Sequence, residues 1–249
     1  MLAVLDIGNT SVTYGIYKGE RLISFRSEIH INIPKIVKKI RKSGGNSNIT
    51  VLISSVVPKI THQLKRTFIQ APRIKLLVLG ENIEVPVKHN YGQPKRLGQD
   101  RLVNVYGAIQ MYKPPLLVID YGTAVTMDYV SRRGVFEGGL IIPGPEISFQ
   151  ALIEKAALLP KKLRLPERST SFIGKTTYDC MSSGILQAYG AMTDGLIERF
   201  RKQYGPKLFV IATGGFAKHL KIYSKNVDRV DPGHSIKSLY LLFQAIQKL

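Results

Sequence analysis

The sequence predicts an α/β protein built as two similar halves, and three observations carry that expectation. Each half reads as a meander of three strands followed by alternating helices and strands, the order that puts a mixed sheet in each half. Val4-Leu5-Asp6-Ile7-Gly8-Asn9-Thr10 is echoed by Val118-Ile119-Asp120-Tyr121-Gly122-Thr123. Each is an apolar strand that ends in Asp-x-Gly and opens into a second β-rich run. Between the echoes stands Lys113-Pro114-Pro115, where successive prolines disfavour helix and suit a boundary. Domains at 1–113 and 114–249 follow.

In the first half, strands are expected over 2–6, 12–17 and 21–28. A short amphipathic helix over 34–42 is ended by Gly44-Gly45. A buried strand over 49–57, a helix over 59–69, a strand over 75–79 and an amphipathic helix over 99–112 complete it. The second half repeats the plan with strands over 116–120, 124–130 and 135–142. A helix over 146–158, a long helix over 177–204, a short strand over 208–212 and a closing helix over 235–247 follow. The stripe Met181, Ile185, Ala188, Met192 and Leu196 on the long helix reads as core or as a dimer seam.

Composition sets the outer limits. A hydrophobic content of 44% with 21% charged residues is that of a globular chain. The single cysteine, Cys180, excludes an intramolecular disulfide and suits a reducing compartment; on its predicted helix it is expected as a small packing residue. The N-terminal apolar run meets Asp6 and lacks a basic flank, so neither a signal peptide nor a membrane span is expected. A cytoplasmic protein is the expectation. The formal net charge of +19 would attract polyanions. The cations are spread over Lys35–Lys42, Lys161–Arg164 and Lys218–Lys225 without an arginine-rich arm, so a lysine-rich solvated surface is the plainer reading. The five histidines have no metal-ligand spacing.

Four stretches carry chemistry. In Asp6-Ile7-Gly8-Asn9-Thr10-Ser11-Val12-Thr13, an Asp at a strand end reaches a cation or its water. Glycine lets backbone N–H groups approach phosphate, and the hydroxyl and amide side chains donate to its oxygens. A plain β-hairpin explains the same residues; the echo at Asp120-Tyr121-Gly122-Thr123 turns the reading toward a phosphate clamp with two carboxylates for a divalent cation. In Tyr91-Gly92-Gln93-Pro94-Lys95-Arg96-Leu97-Gly98-Gln99-Asp100-Arg101, Asp100 falls in the first turn of a helix. There it either complements the helix dipole or serves as a general base beside an arginine that grips an anion. Gly138-Gly139 through Gly144 suits a ligand approach or a tightly packed hairpin. Thr213-Gly214-Gly215, after a short strand, is a nucleotide contact or a tight turn.

Together, Asp6-x-Gly8-Asn9-Thr10, Gly98-x-Asp100-Arg101, Asp120-x-Gly122-Thr123, Gly138-Gly139-x-Ile141-x-Pro143-Gly144 and Thr213-Gly214-Gly215 resemble, in order and spacing, the type III pantothenate kinases. The likeness runs from Asp6 to Gly215. It implies two actin-like, ribonuclease H-like domains with a cleft between them, and ATP-dependent phosphorylation of pantothenate to 4′-phosphopantothenate, the first step of coenzyme A synthesis. It implies ATP contacts from Asp6, Gly8, Asn9, Thr10, Ser11, Thr13 and Thr123. Asp100 becomes the catalytic base, and Tyr91, Gly98, Gln99 and Arg101 hold pantothenate. Asp120 binds a monovalent cation, K⁺ or NH₄⁺, and Asp6 offers a Mg²⁺ ligand. The family's homodimer brings a threonine of a Gly-Lys-Asn-Thr segment to the partner's pocket. Here the segment is Gly174-Lys175-Thr176-Thr177, so Thr177 matches and Thr176 replaces Asn. The family's C-terminal Leu-x-Leu-x-Gly-Leu pattern is not found; Leu239-Tyr240-Leu241-Leu242-Phe243 stands there.

Two rivals share these residues. A phosphohydrolase of the same superfamily needs the two Asp-x-Gly hairpins but neither Tyr91 nor the Asp100-Arg101 pair. A basic nucleic-acid-binding regulator needs the charge and no catalysis. The kinase reading uses more of the sequence, so pantothenate and ATP are the expected partners, without membrane or nucleic acid.

Overall fold

The computed structural model describes residues 1–29, 32–69, 71, 73–156, 165–166, 168 and 171–248. The chain divides into two compact units, 1–111 with 233–249, and 112–232.

In the first unit, β1 (Leu2–Ile7), β2 (Ser11–Lys18) and β3 (Arg21–Ile29) form an antiparallel meander. The helix α1 (Ile33–Gly44) follows, then β4 (Ile49–Ser55), α2 (Pro58–Ile69) and β5 (Ile74–Val78). β4 lies parallel to β1 and β5 parallel to β4, which gives the order β3-β2-β1-β4-β5. Alternation along β1 divides its side chains between two layers. Ala3, Leu5 and Ile7 meet Ile33, Ile36, Val37 and Ile40 of α1 and Leu64 and Phe68 of α2. Leu2 and Val4 face the other way, toward Val103 and Tyr106 of α3 (Gln99–Met111) and Leu239, Leu242 and Phe243 of α7 (His234–Ile246).

The second unit repeats the plan. β6 (Leu116–Tyr121), β7 (Ala124–Val130) and β8 (Phe136–Pro143) form the meander. Next come α4 (Pro145–Lys155), α5 (Thr177–Tyr204), β9 (Phe209–Thr213), the single-turn α6 (Ala217–Leu220) and β10 (Arg229–Val230). The sheet order is β8-β7-β6-β9-β10, with β9 parallel to β6. The echo between Asp6 and Asp120 is thus an echo of whole sheets. The α5 stripe packs on the core of Leu117, Ile119, Val125 and Met127 through Met181, Ile185, Met192 and Leu196, whereas Ala188, expected in the stripe, is exposed.

The closing helix departs from the expected boundary. The sequence reading places it in the second domain, whereas α7 belongs to the first unit. The reason is surface matching against α3. Gly107 leaves room for Ser238, where a Cβ would overlap the serine Oγ. His234 Nε2 lies 2.8 Å from the Asn104 carbonyl oxygen, and Tyr240 stacks on Tyr17 with centroids 4.3 Å apart. Without α7 the Leu2 and Val4 face of the sheet would keep only the α3 part of its apolar cover. Two smaller differences concern α6 and β10, each too short to leave a periodic signal. Cys180 is exposed rather than packed. The expected helix end at Leu158 and the cations Lys161, Lys162 and Arg164 fall outside the described residues. Among the described residues, no helix is long and apolar enough to cross a membrane.

Candidate active site

The site in the first unit starts from a polar row across an otherwise apolar sheet. Asp6 pairs with Thr13 on β2 and with Ser54 on β4, and Thr13 pairs with Ser27 on β3. Directly paired residues point to one face, so Ser27, Thr13, Asp6 and Ser54 stand in line on the α3 and α7 side. Thr13 Oγ1 donates to Ser27 Oγ at 3.1 Å. Ser54 is fully buried, and its hydroxyl, beside Asp6, finds no hydrogen bond of good geometry. Burial, and then repulsion from Asp100, push the Asp6 carboxyl up to about 6; Ser235, at the start of α7, and Ser54 pull it part of the way back. The hairpin beyond Asp6 is closed by the Gly8 N–H donating to the Ser11 carbonyl at 3.0 Å, which leaves Asn9 and Thr10 exposed at the tip.

The second group sits at the start of α3, with Asp100 in its first turn. Its carboxylate folds back over Gly98, where a Cβ would overlap Oδ1. Burial raises the Asp100 carboxyl above its ordinary value, against the backbone N–H and charge of Arg101 and the residue's own N–H. Burial outweighs the Arg101 charge in that balance. Arg101 is itself buried and lies over the Tyr91 ring, 5.6 Å from its centroid. This contact brings the distant Tyr91 to the Gly98-x-Asp100-Arg101 stretch and holds the guanidinium plane. Gln99 turns toward Gly80, whose φ is +77°, and lines a groove of about 1000 Å³ with Glu84, His89 and Lys95. Ser54 and Ser235 carry no chemical signature of their own. Ser54 could have been noticed as the polar residue that ends the apolar run Val51-Leu52-Ile53; Ser235 could not.

The second unit repeats the row. Asp120 pairs with Thr126 on β7 and Thr213 on β9, matching Thr13 and Ser54 beside Asp6. The Gly122 N–H closes this hairpin on Ala124 O at 3.1 Å. Gly144 packs against the tip, its N–H donating to Thr123 O at 3.0 Å. Gly214 has φ +92°; a Cβ there would overlap Asp120 Oδ1 and lie 2.6 Å from the Tyr121 carbonyl oxygen. A carboxylate oxygen and a carbonyl oxygen therefore converge on a space that only glycine leaves open. Gly139, by contrast, is explained by packing, since a Cβ would overlap the Met127 carbonyl oxygen. Thr176 is the N-cap of α5: its Oγ1 accepts from the Asp179 N–H at 3.1 Å and donates to Asp179 Oδ2 at 2.7 Å. Threonine, like asparagine, is among the residues preferred at that position. Thr177 follows it, exposed. Among the described residues, no three His, Cys, Asp or Glu side chains gather as a metal cluster.

Two mixed sheets of one topology, each ending its first strand in Asp-x-Gly, define the actin-like fold class. Solved structures agree: ethanolamine utilization protein EutJ from Carboxydothermus hydrogenoformans has TM-score 0.54 at 12% identity, over 96% of this chain and 87% of that one. The (R)-2-hydroxyglutaryl-CoA dehydratase component A of Acidaminococcus fermentans has TM-score 0.51 at 13% identity, over 98% of each. Within that class, residues 2–199 match the type III pantothenate kinase family. The type III pantothenate kinases of Listeria monocytogenes serovar 1/2a and Listeria innocua serovar 6a are 33% and 34% identical, each over 98% of this chain and 97% of the relative. The chain belongs to the type III pantothenate kinase family, and it is a phosphotransferase.

Proposed function

We infer that the chain transfers the γ-phosphoryl group of ATP to the hydroxyl of pantothenate, giving ADP and 4′-phosphopantothenate in the first step of coenzyme A synthesis, with Asp100 as general base. The observation that carries the assignment of the base is the partly buried Asp100 carboxylate beside the fixed Arg101 guanidinium at the start of α3. As the hydroxyl oxygen bonds to the γ-phosphorus and the bond to ADP breaks, the hydroxyl proton passes to Asp100. Burial that raises a carboxyl toward neutrality makes it a better proton acceptor. Arg101, Tyr91, Gly98 and Gln99 hold pantothenate, with the guanidinium on its carboxylate. Phosphoryl transfer rests mainly on positioning and charge neutralisation. Gly8, Asn9, Thr10, Ser11 and Thr13, with Thr123, contribute donors to the ATP phosphates.

Asp6 and Asp100 repel each other, and a divalent cation would relieve that repulsion. Asp6 is accordingly the Mg²⁺ ligand; Mg²⁺ needs only one or two carboxylates when phosphates and waters complete its shell. When bound it neutralises phosphate charge. The oxygens converging beside Gly214 fit a monovalent cation held by Asp120. The assembly is a homodimer in the cytoplasm in which Thr177 serves the partner's pantothenate pocket.

The test is ADP release measured with and without pantothenate, for the wild type and for Asp100→Asn. We expect pantothenate-dependent ADP release, and a loss of turnover of about 10²-fold or more in the variant with ATP affinity and melting temperature retained. A variant that keeps more than about a tenth of wild-type turnover would return Asp100 to a helix-capping role, because Asn caps nearly as well as Asp.

A further inference from the structure

From Ile29 to Gly80 the chain contains no Asp or Glu, while Lys35, Lys38, Lys39, Arg41, Lys42, Lys59, Lys65, Arg66, Arg73 and Lys75 all fall there. The fold concentrates the eight of them that lie on α1 and α2. α1 and α2 pack their apolar sides into the same core on one face of the first sheet, so their polar sides share one outer surface. Arg41 Nη2 donates to the Thr67 carbonyl oxygen at 2.9 Å, which ties the helices together and fixes the guanidinium between them. The groove at that tie has a volume of about 560 Å³ and is lined by Arg41, Lys59, His62, Gln63, Arg66 and Thr67. It continues past Arg41 into a second groove of about 310 Å³ that reaches Lys38. No acidic residue lines either one.

Pairing does not cancel this charge. Lys35 and Lys65 find Glu28 and Glu81, at the two ends where acids resume, and Lys39 lies over the Tyr14 ring. Lys38, Lys42, Lys59 and Arg66 are exposed and have no carboxylate partner among the described residues. An ordinary solvated helix face mixes both signs and neutralises itself through neighbouring pairs. Two adjacent helices of a single sign focus a positive potential on the groove between them.

We propose that this groove is a second binding site, which takes the phosphodiester backbone of duplex nucleic acid. A helix of a dozen residues is about 18 Å long, enough to follow on the order of five phosphates along one strand. The donors available, guanidinium, ammonium, imidazole, amide and hydroxyl, are those that bind phosphate oxygens and position a protein without reading sequence. An anionic membrane is the weaker fit. Interfacial helices insert large apolar side chains, and no large hydrophobic on the described parts of α1 or α2 is exposed. A single strand is weaker too, because stacking needs an exposed aromatic, and the aromatic residue of these helices, Phe68, is buried. Asp100 and Arg101 belong to α3, on the opposite face of the sheet, so the groove can be altered without touching the kinase residues.

The experiment is fluorescence anisotropy of a short labelled duplex DNA, and of the matching RNA duplex, between about 50 and 200 mM salt. Three proteins are compared: the wild type, Lys38→Gln/Lys59→Gln/Arg66→Gln, and Lys202→Gln/Lys207→Gln/Lys218→Gln, which removes the same charge from the second unit. The expected result is micromolar wild-type binding with a steep salt dependence. The groove variant should bind at least about tenfold more weakly, with its log–log salt slope reduced by about 2–3, while the second-unit variant stays near wild type. Kinase turnover retained in the groove variant shows that it is folded. The tighter duplex identifies whether DNA or RNA is the source of the phosphates. The proposal is overturned if the groove variant binds both duplexes as the wild type does. Equal weakening in the two variants overturns it as well, since bulk charge then explains the binding. So does a wild type that ignores both duplexes yet floats with phosphatidylcholine–phosphatidylglycerol vesicles.

Discussion

Gly98 and Asp100 share one small space: the carboxylate of Asp100 lies where a Cβ on Gly98 would stand. The obstacle is the end of a side chain, so Gly98→Ala is expected to fold and to push the carboxylate aside. A displacement of about 1 Å at a reacting group costs on the order of 10²-fold in rate. Turnover should therefore fall by about that factor, with a melting temperature within a few degrees of wild type. Steady-state kinetics beside thermal unfolding check it. Unchanged turnover would remove the positional argument for Asp100.

Asp6 makes the stability of the ligand-free protein depend on pH in an unusual direction. Its carboxyl is raised from 3.8 to about 6, first by burial and then by Asp100. The folded state thus holds the proton more tightly than the unfolded chain. The associated stability is fully present below about pH 4 and is lost as pH rises through about 6. Asp6→Asn keeps the shape and removes the charge. It should be more stable than wild type at pH 8, by up to about 3 kcal/mol, with the difference vanishing toward pH 4. Melting temperatures of both proteins across that range read the effect. Mg²⁺ at pH 8 should raise the wild-type melting temperature more than that of the variant, because only the wild type offers the carboxylate. A variant that is less stable at pH 8 would show that the carboxylate is fully stabilised as it stands.

How much of this was legible in the sequence depends on the range of the contact. The three-strand meanders and the Asp6 and Asp120 strand ends are local, and alternation and glycine placement reveal them. The Asp100-Arg101 stretch is visible as residues, but its geometry is not. Tyr91 reaches Arg101 across an irregular loop, and Asp6 meets Ser54 and Ser235 through strand register and a helix that returns from the far end of the chain. The α7 pattern declares an apolar face without saying which sheet it covers, which is why the boundary at 113/114 left that helix in the wrong unit. Gly138 and Gly139 illustrate the converse, a glycine pair suited to a ligand by pattern and explained at Gly139 by the neighbouring strand.

Asp194 provides a test of the second unit independent of catalysis. Its carboxylate accepts from Ser224 Oγ at 2.7 Å and from the N–H groups of Lys225 and Asn226 at 3.0 and 2.9 Å. Burial alone would raise the carboxyl; the Lys225 N–H, the Ser224 hydroxyl, the Asn226 N–H and the Lys221 charge overcome it and hold the group below its ordinary value. The stability it supplies is present above the unfolded value of 3.8 and is lost as pH falls through the lower folded value. Asp194→Ala should cost about 1–3 kcal/mol at pH 7 and speed amide exchange at Lys225 and Asn226. Unchanged exchange at those two amides would mean that the 224–226 turn does not depend on the carboxylate.

The last prediction concerns the oxygens that meet beside Gly214. Asp120 Oδ1 and the Tyr121 carbonyl oxygen converge where a Cβ would be, an arrangement of acceptors that suits a cation. If a monovalent cation is held there, turnover in K⁺ or NH₄⁺ should exceed turnover in Tris or Na⁺ buffer with Mg²⁺ constant. Gly214→Ala cannot isolate the effect, because φ of +92° is strained for any residue with a Cβ and costs stability as well. Asp120→Asn can, since the amide keeps the shape of the side chain and loses its negative charge. We expect Asp120→Asn to melt near wild type, and to turn over in K⁺ no faster than the wild type does without it. The cation response and the carboxylate should disappear together. Equal wild-type rates in K⁺ and in K⁺-free, NH₄⁺-free buffer would remove the cation from the mechanism. An Asp120→Asn variant that still responds fully to K⁺ would move the cation elsewhere, and leave the Gly214 space as a tight turn around the strand end.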